Sequence, residues 1–263
     1  MRVTTIRKKV TPIRDALKMA AEEETEMGNS LRKEIERLVE AGNLRGLLDK
    51  AGELHGHLCN YLSYGVIAGY VAVRELGVKS TGMEKVIAIV ETNNCFSDGI
   101  QMVTGCSFGN NALIYRDFGK TAVTVAKRDG TAIRIALDPD FEDSREKEYP
   151  EASELWNKIV ARREKAAPEE HERMIELFAK MSMSELSKPV DKIFRIKHTK
   201  IRMPEYAPVF ASVRCSICGE NVMQTKARVK DSKPVCIDCA EGAHYVLDGS
   251  GISAKGARQG SIL

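Results

Sequence analysis

Four cysteines constrain the last sixty residues of this chain more tightly than any other feature. Cys215-Ser-Ile-Cys218-Gly219 precedes Cys236-Ile-Asp-Cys239, with seventeen residues between Cys218 and Cys236. Each C-x-x-C can wrap its backbone around one ion, and thiolates at this spacing suit tetrahedral zinc. Gly219 permits the turn that aims backbone amides at the sulfurs. Lys226 to Val235 has hairpin character, which lets the two pairs meet. A module of roughly thirty residues builds little apolar core of its own, and structural zinc substitutes for one. Two local redox dithiols are the competing reading, and the paired spacing favours zinc. Four thiolates leave no open position, so Cys215, Cys218, Cys236 and Cys239 are read as a structural site.

The chain is long enough for one large domain or two smaller ones, at 263 residues. Forty basic and 37 acidic residues nearly balance, but they segregate. Lys188 to Lys233 holds eleven Lys/Arg against four Asp/Glu, whereas Asp138 to Glu185 is mostly acidic. No apolar segment follows the basic start, so no signal peptide is expected. No run approaches the roughly 20 apolar residues of a membrane helix. Seven cysteines cannot all pair. Reduced thiols in a cytoplasmic protein, grouped for metal or redox chemistry, are the expectation.

Asp15–Met27 reads as a helix, and Ser30 as the cap of another bearing Leu31, Ile35, Leu38 and Val39 on one stripe. A third spans Leu44 to Leu54. Tyr61 to Leu76 is apolar nearly all round, so a buried helix ending at Gly77 is predicted. Its small residues Gly65, Ala68, Gly69 and Ala72 admit a close neighbour. Val86–Val90, Ala112–Phe118, Thr121–Lys127 and Thr131–Leu137 read as strands, the last two joined at Asp129-Gly130. Pro150 to Met183 returns to helix, Asp191–Lys200 is a final core strand, and Pro204 and Pro208 mark a linker. The expected division is a helical extension over 1–50, an α+β core over 51–203, the cysteine module over 204–247 and a flexible tail over 248–263.

His55-Gly56-His57-Leu58-Cys59 and Asn94-Cys95-Phe96-Ser97-Asp98-Gly99-Ile100-Gln101 carry the second constellation. A lone histidine beside a helix is ordinarily a packed or capping residue, and a lone buried cysteine a small hydrophobe. Three candidate ligands within five positions are harder to dismiss. His55 or His57, with Cys59 and Cys95, makes a three-ligand zinc site with one position open. Both cysteines sit at helix starts, which favour thiolate. Asp98 serves as a general base or as a partner orienting a ligand, and Gln101, one turn on, as an orienting group. Cys106 reads as a buried structural thiol.

These motifs, with Thr104-Gly-Cys106-Ser-Phe-Gly109 and Asp117-Phe-Gly-Lys120, resemble the FmdE family, named for a component of formylmethanofuran dehydrogenase. The resemblance runs from about Leu47 to Ala243. It implies a thioredoxin-like α+β core with a mixed sheet flanked by helices, a treble-clef-like finger and a metal site in the His/Cys constellation. The family follows its HGHxC with Pro-Gly, whereas this chain has Asn60-Tyr61. Three functions follow as expectations. The first is a zinc-dependent enzyme or enzyme accessory in one-carbon, methanogenesis-type metabolism, associated with formylmethanofuran dehydrogenase subunits, with Asp98 and Gln101 in the catalytic pocket. The second is a metal chaperone or sensor for a molybdenum or tungsten enzyme. The third is nucleic-acid binding through the basic finger, but a solvated face or docking against Asp138–Glu185 is the plainer use of that charge. A homodimer through the N-terminal helices and the small-residue helix face is the simplest assembly, although covering the chain's own core is an equal use of both.

Overall fold

The computed structural model describes residues 31–79 and 82–256, so the helix expected over Asp15–Met27 and the Ser30 cap lie outside it. The helices α1 (Lys33–Glu40), α2 (Leu44–His55), α3 (Asn60–Leu76) and α4 (Cys95–Thr104) form one group, in which the other three are built around the long buried α3. A five-stranded mixed sheet runs in the order β2-β1-β3-β4-β5, with β1 Val86–Val90, β2 Leu113–Tyr115, β3 Ala122–Lys127, β4 Thr131–Leu137 and β5 Phe194–Lys200. Only β1 and β2 pair in parallel. The helices α5 (Pro139–Glu148), α6 (Pro150–Trp156), α7 (Pro168–Glu185) and α8 (Val190–Ile193) connect β4 to β5.

The apolar character of α3 on all sides has a direct cause. Ile67, Ala68 and Val71 face the sheet residues Val125, Ile133 and Ile135. Leu62, Val66 and Val73 instead pack with Leu47, Leu48 and Ala51 of α2 and Val103 of α4. Gly77, at φ 60°, ends the helix in the left-handed conformation. The small-residue face is taken by α4: a Cβ at Gly99 would stand 2.6 Å from the Leu62 carbonyl oxygen, and one at Gly65 would overlap that of Phe96. The small-residue face foreseen as a dimer contact is therefore used within the chain, as are Leu47 and Leu48 at the end of the other foreseen surface, part of which lies outside the described residues.

Several expectations change. The boundary placed at residue 50 falls inside α2, whose Leu47, Leu48 and Ala51 are fully buried. The segment Asp138–Glu148, for which no helix was expected, is α5, started by an Asp138 cap and Pro139 at the first helical position. Residues 204–207 are held against the core rather than hanging as a linker. The Arg128 guanidinium donates to the Pro204 and Glu84 carbonyls and lies 3.7 Å over the Tyr206 ring. Within the tail expected to be loose over 248–263, residues 248–255 instead take part in a hairpin, β10 (His244–Asp248) with β11 (Gly251–Lys255), and 257–263 lie outside the described residues. Asn93 donates to the Asp248 carbonyl at 2.7 Å, and the Asp117 carboxylate accepts the Ile252 N–H at 2.7 Å and the Tyr115 hydroxyl. Gly251, at φ 101°, is buried against Asp117, where a side chain would collide. No helix among the described residues is long and apolar enough to cross a membrane.

Candidate metal centres

Three helix ends converge on the first centre. His55 is the last residue of α2, and Gly56, at φ 88°, turns the chain so that the His57 ring comes within 4.4 Å of the His55 ring. Cys59, in extended conformation, is the N-cap of α3. Cys95 opens α4, whose start is fixed by the Asn94 side chain accepting the Phe96 N–H at 3.0 Å. The close α3–α4 packing then sets Cys95 beside Cys59. One candidate ligand atom from each of His55, His57, Cys59 and Cys95 lies within 4.8 Å of every other. The expectation was one histidine with two cysteines. Both histidines are present.

The two histidines differ in support. His55 Nδ1 is 2.7 Å from Asp98 Oδ2, and Gln101 donates to Asp98 Oδ1 at 3.0 Å. A carboxylate only accepts, so Nδ1 carries a proton, and in the neutral ring Nε2 is then the acceptor. That Nε2 is buried with no hydrogen-bond partner among the described residues. A buried acceptor left unmatched is costly unless something else binds it, and an ion among the four ligands fits. His57 is exposed and makes no hydrogen bond among the described residues; burial of its ring and then the neighbouring His55 lower its pKa.

The cysteines share one proton. The hydrogen bond from the Cys59 thiol, with His55 adding to it, holds Cys95 down at about 6. The same bond and then burial push Cys59 far up. The thiolate expected at both helix starts is therefore favoured at one, Cys95. Cys106 is fully buried, its thiol 3.4 Å from the Val86 carbonyl, and burial raises it to about 11. Asn60 and Tyr61 stand where the family has Pro-Gly, and the Tyr61 hydroxyl ties the turn after Cys59 inward by donating to Glu142 of α5. Two clefts, of ≈ 320 and ≈ 430 Å³, lie elsewhere, the first between α1 and the end of α3.

The second centre caps two hairpins, β6 (Ser212–Arg214) with β7 (Asn221–Met223) and β8 (Arg228–Lys230) with β9 (Lys233–Val235). The four cysteine sulfurs lie within 4.8 Å of one another. The Cys236 N–H points at Cys215 Sγ and the Cys239 N–H at Cys236 Sγ, both at 3.3 Å. Backbone N–H groups aimed at sulfur suit thiolate ligands, and those of Cys218 and Cys236 hold Cys215 at about 6. Cys215 and Val235 alone are buried between residues 204 and 247. No helix follows the second pair among the described residues.

Together the fold and the ligand sets define a mixed α+β protein with two clusters of metal-ligating side chains. Residues 54–195, just over half of the chain, match the FmdE family, described as "FmdE, Molybdenum formylmethanofuran dehydrogenase operon". The chain belongs to that family. Residues 209–245 match the prokaryotic dksA/traR C4-type zinc finger. A protein of Archaeoglobus fulgidus named "Probable S-adenosyl-L-methionine-binding protein" is 39% identical over 214 residues, 80% of this chain and 56% of that protein. The chain thus spans little more than half the length of this relative. A crystal structure of a tungsten formylmethanofuran dehydrogenase FmdE-like protein from Syntrophus aciditrophicus superposes with a TM-score of 0.50 at 20% identity. It covers 75% of this chain and 91% of that one, a likeness of fold alone.

Proposed function

We propose that this protein holds an exchangeable zinc-class ion among His55, His57, Cys59 and Cys95, beside a structural zinc at the cysteine tetrad, and serves as a metal-handling accessory in one-carbon metabolism. The buried, unpartnered His55 Nε2 carries the reading. Asp98 and Gln101 brace that ring from behind, an arrangement that fixes the tautomer and raises ligand basicity. His57 has no such brace and faces solvent, so it is the ligand an incoming group displaces. The family name makes a molybdenum or tungsten formylmethanofuran dehydrogenase the partner to test, in the reducing cytoplasm that thiolate ligands require. A second copy of the chain as partner would have to use a surface other than α3. Catalysis at the same ion, with Asp98 as base, would need that carboxylate to leave His55.

Metal transfer to a competing chelator tests the reading. Asp98→Ala is expected to weaken the core ion about 10–100-fold. His57→Ala should speed its release while His55→Ala removes it. Equal behaviour of the two histidine variants would sink the asymmetry on which the proposal stands.

Proton release gives a second expected result. At pH 7 Cys95 is thiolate and Cys59 keeps the shared proton, so ion uptake frees about one proton from the pair. Below about 6 Cys95 is protonated as well, and the count should rise toward two. Affinity therefore falls as pH drops, more steeply below 6. Titration calorimetry in buffers of different ionisation enthalpy measures the count, and a pH-independent value would contradict it.

A second reading, S-adenosylmethionine binding, is supported by the name of the Archaeoglobus relative and by the ≈ 320 Å³ cleft, whose floor is Ile35, Val73 and Val103 and whose rim carries Arg74 and Lys79. Equilibrium dialysis with labelled ligand, against a Val73→Phe variant that fills the cleft, decides it: no uptake, or uptake unchanged by the filling, removes the reading.

A further inference from the structure

The acidic stretch Asp138–Glu185 was the nearest foreseen partner for the basic finger, and several of its carboxylates are paired elsewhere. Glu151 pairs with Arg173, Glu170 with Lys158, Glu185 with Arg145 and Asp138 with Arg195. Lys226, Arg228, Lys230 and Lys233 are all exposed, and none makes an ion pair among the described residues. Over 226–235 these four cations face one carboxylate, Asp231.

The hairpin that carries them is built against its own stability. Lys230 lies directly opposite Lys233, a like-charge pair that weakens an isolated ribbon. Asp231 and Ser232 form the two-residue turn at φ 50° and 57°, the left-handed region that Asp tolerates and Ser disfavours. β8 is exposed at every position, and Val229 is 81% exposed, so the ribbon is wet on both faces. Its base is held where Cys236 follows β9 directly. A protein partner would call for an apolar, desolvated centre, and the strand β8 offers only Val229.

We infer that hairpin β8–β9 is a ribbon that binds duplex DNA, placing Arg228 and Lys230 on backbone phosphates. A two-stranded ribbon has the width that the roughly 12 Å major groove admits. Arg228 and Lys230, two positions apart on one strand, are spaced about 6.7 Å, a separation that reaches neighbouring phosphates of one DNA strand, which climbs about 3.4 Å per step along the axis. Lys226 and Lys233 extend the cationic track to either side. The contacts are to the backbone, so binding is sequence-independent and strongly dependent on salt.

Fluorescence anisotropy of the zinc-loaded full chain with a labelled 20-base-pair duplex tests it. Four phosphate contacts predict a slope of log K on log salt near −3.6, about a 150-fold loss from 50 to 200 mM. Arg228→Glu with Lys230→Glu should weaken binding at least about tenfold and flatten the slope by about 1.8. That variant should retain its finger zinc, measured separately. Lys165→Glu with Lys180→Glu, the same charge change on exposed positions outside the finger, should leave the slope alone. The proposal falls if the finger variant binds as the parent does, or if the two double variants behave alike. It also falls if polyglutamate is bound and duplex is not, which marks an acidic-protein surface, or if single-stranded RNA is bound more tightly than duplex.

Discussion

Replacing Cys218 with Ser is expected to release the finger's zinc and unfold residues 212–235 while the five-stranded sheet stays folded. With two buried residues between 204 and 247, the finger has almost no apolar burial to fall back on. Exposed Ile217, Met223 and Val229 add none. Structural zinc supplies apparent free energies of about 10–16 kcal/mol in small modules of this kind, far more than two short hairpins gain alone. The hairpin β10–β11 should survive, because Asn93 and Asp117 hold it to the core. Hydrogen exchange resolved by segment is the measurement. Protection retained over 212–235 after zinc loss would refute the structural role.

Gly99→Ala should produce a large loss of stability in the core. Its new methyl would stand 2.6 Å from the Leu62 carbonyl oxygen and from the Val66 nitrogen, both backbone atoms of α3 that cannot swing aside. Overpacking of this kind costs about 3 kcal/mol, which is roughly 6–12 °C in Tm for a domain of this size. The added effect is on the core site: forcing α4 from α3 carries Cys95 away from Cys59, and core metal should be lost with stability. Gly109→Ala, which meets nothing within 4 Å, is the control and should be nearly silent. Equal melting temperatures for the two variants would mean that α3 and α4 are not packed through these glycines.

Helix α3 was legible because it is apolar on every side, and it is so because the sheet takes one face while α2 and α4 take the other. The strands β1, β3 and β4 announced themselves as short apolar runs, and Asp129-Gly130 as their turn. β2 was overextended to Phe118. The chain leaves the sheet after Tyr115 so that Asp117 can hold the C-terminal hairpin, a long-range contact that no local pattern encodes. Helix α5 was missed for a different reason: it buries little apolar surface, so only its Asp-Pro start marked it. β5 begins at Phe194, not Asp191, because Pro189 opens the short turn of α8 first.

The candidate site was legible in its residue types and not in its geometry. Two histidines and two cysteines in short motifs suggested convergence, and Asp98 beside them suggested either a base or a brace. That Gly56 would turn the second histidine onto the first depends on a left-handed residue between them. That Cys95 would meet Cys59 depends on how closely two helices cross. The uneven split of one proton between those thiols follows from that proximity and from burial.

Metal stoichiometry tests the account at its centre. Purified wild-type protein, loaded with zinc and passed through a desalting column, should carry two ions per chain. Cys59→Ala, which leaves the tetrad untouched, should carry one, and Cys218→Ser should likewise carry one, at the other centre. A single ion per chain in the wild type that persists in Cys59→Ala and disappears in Cys218→Ser would contradict it, leaving the finger as the sole metal site and the His55 constellation without an ion.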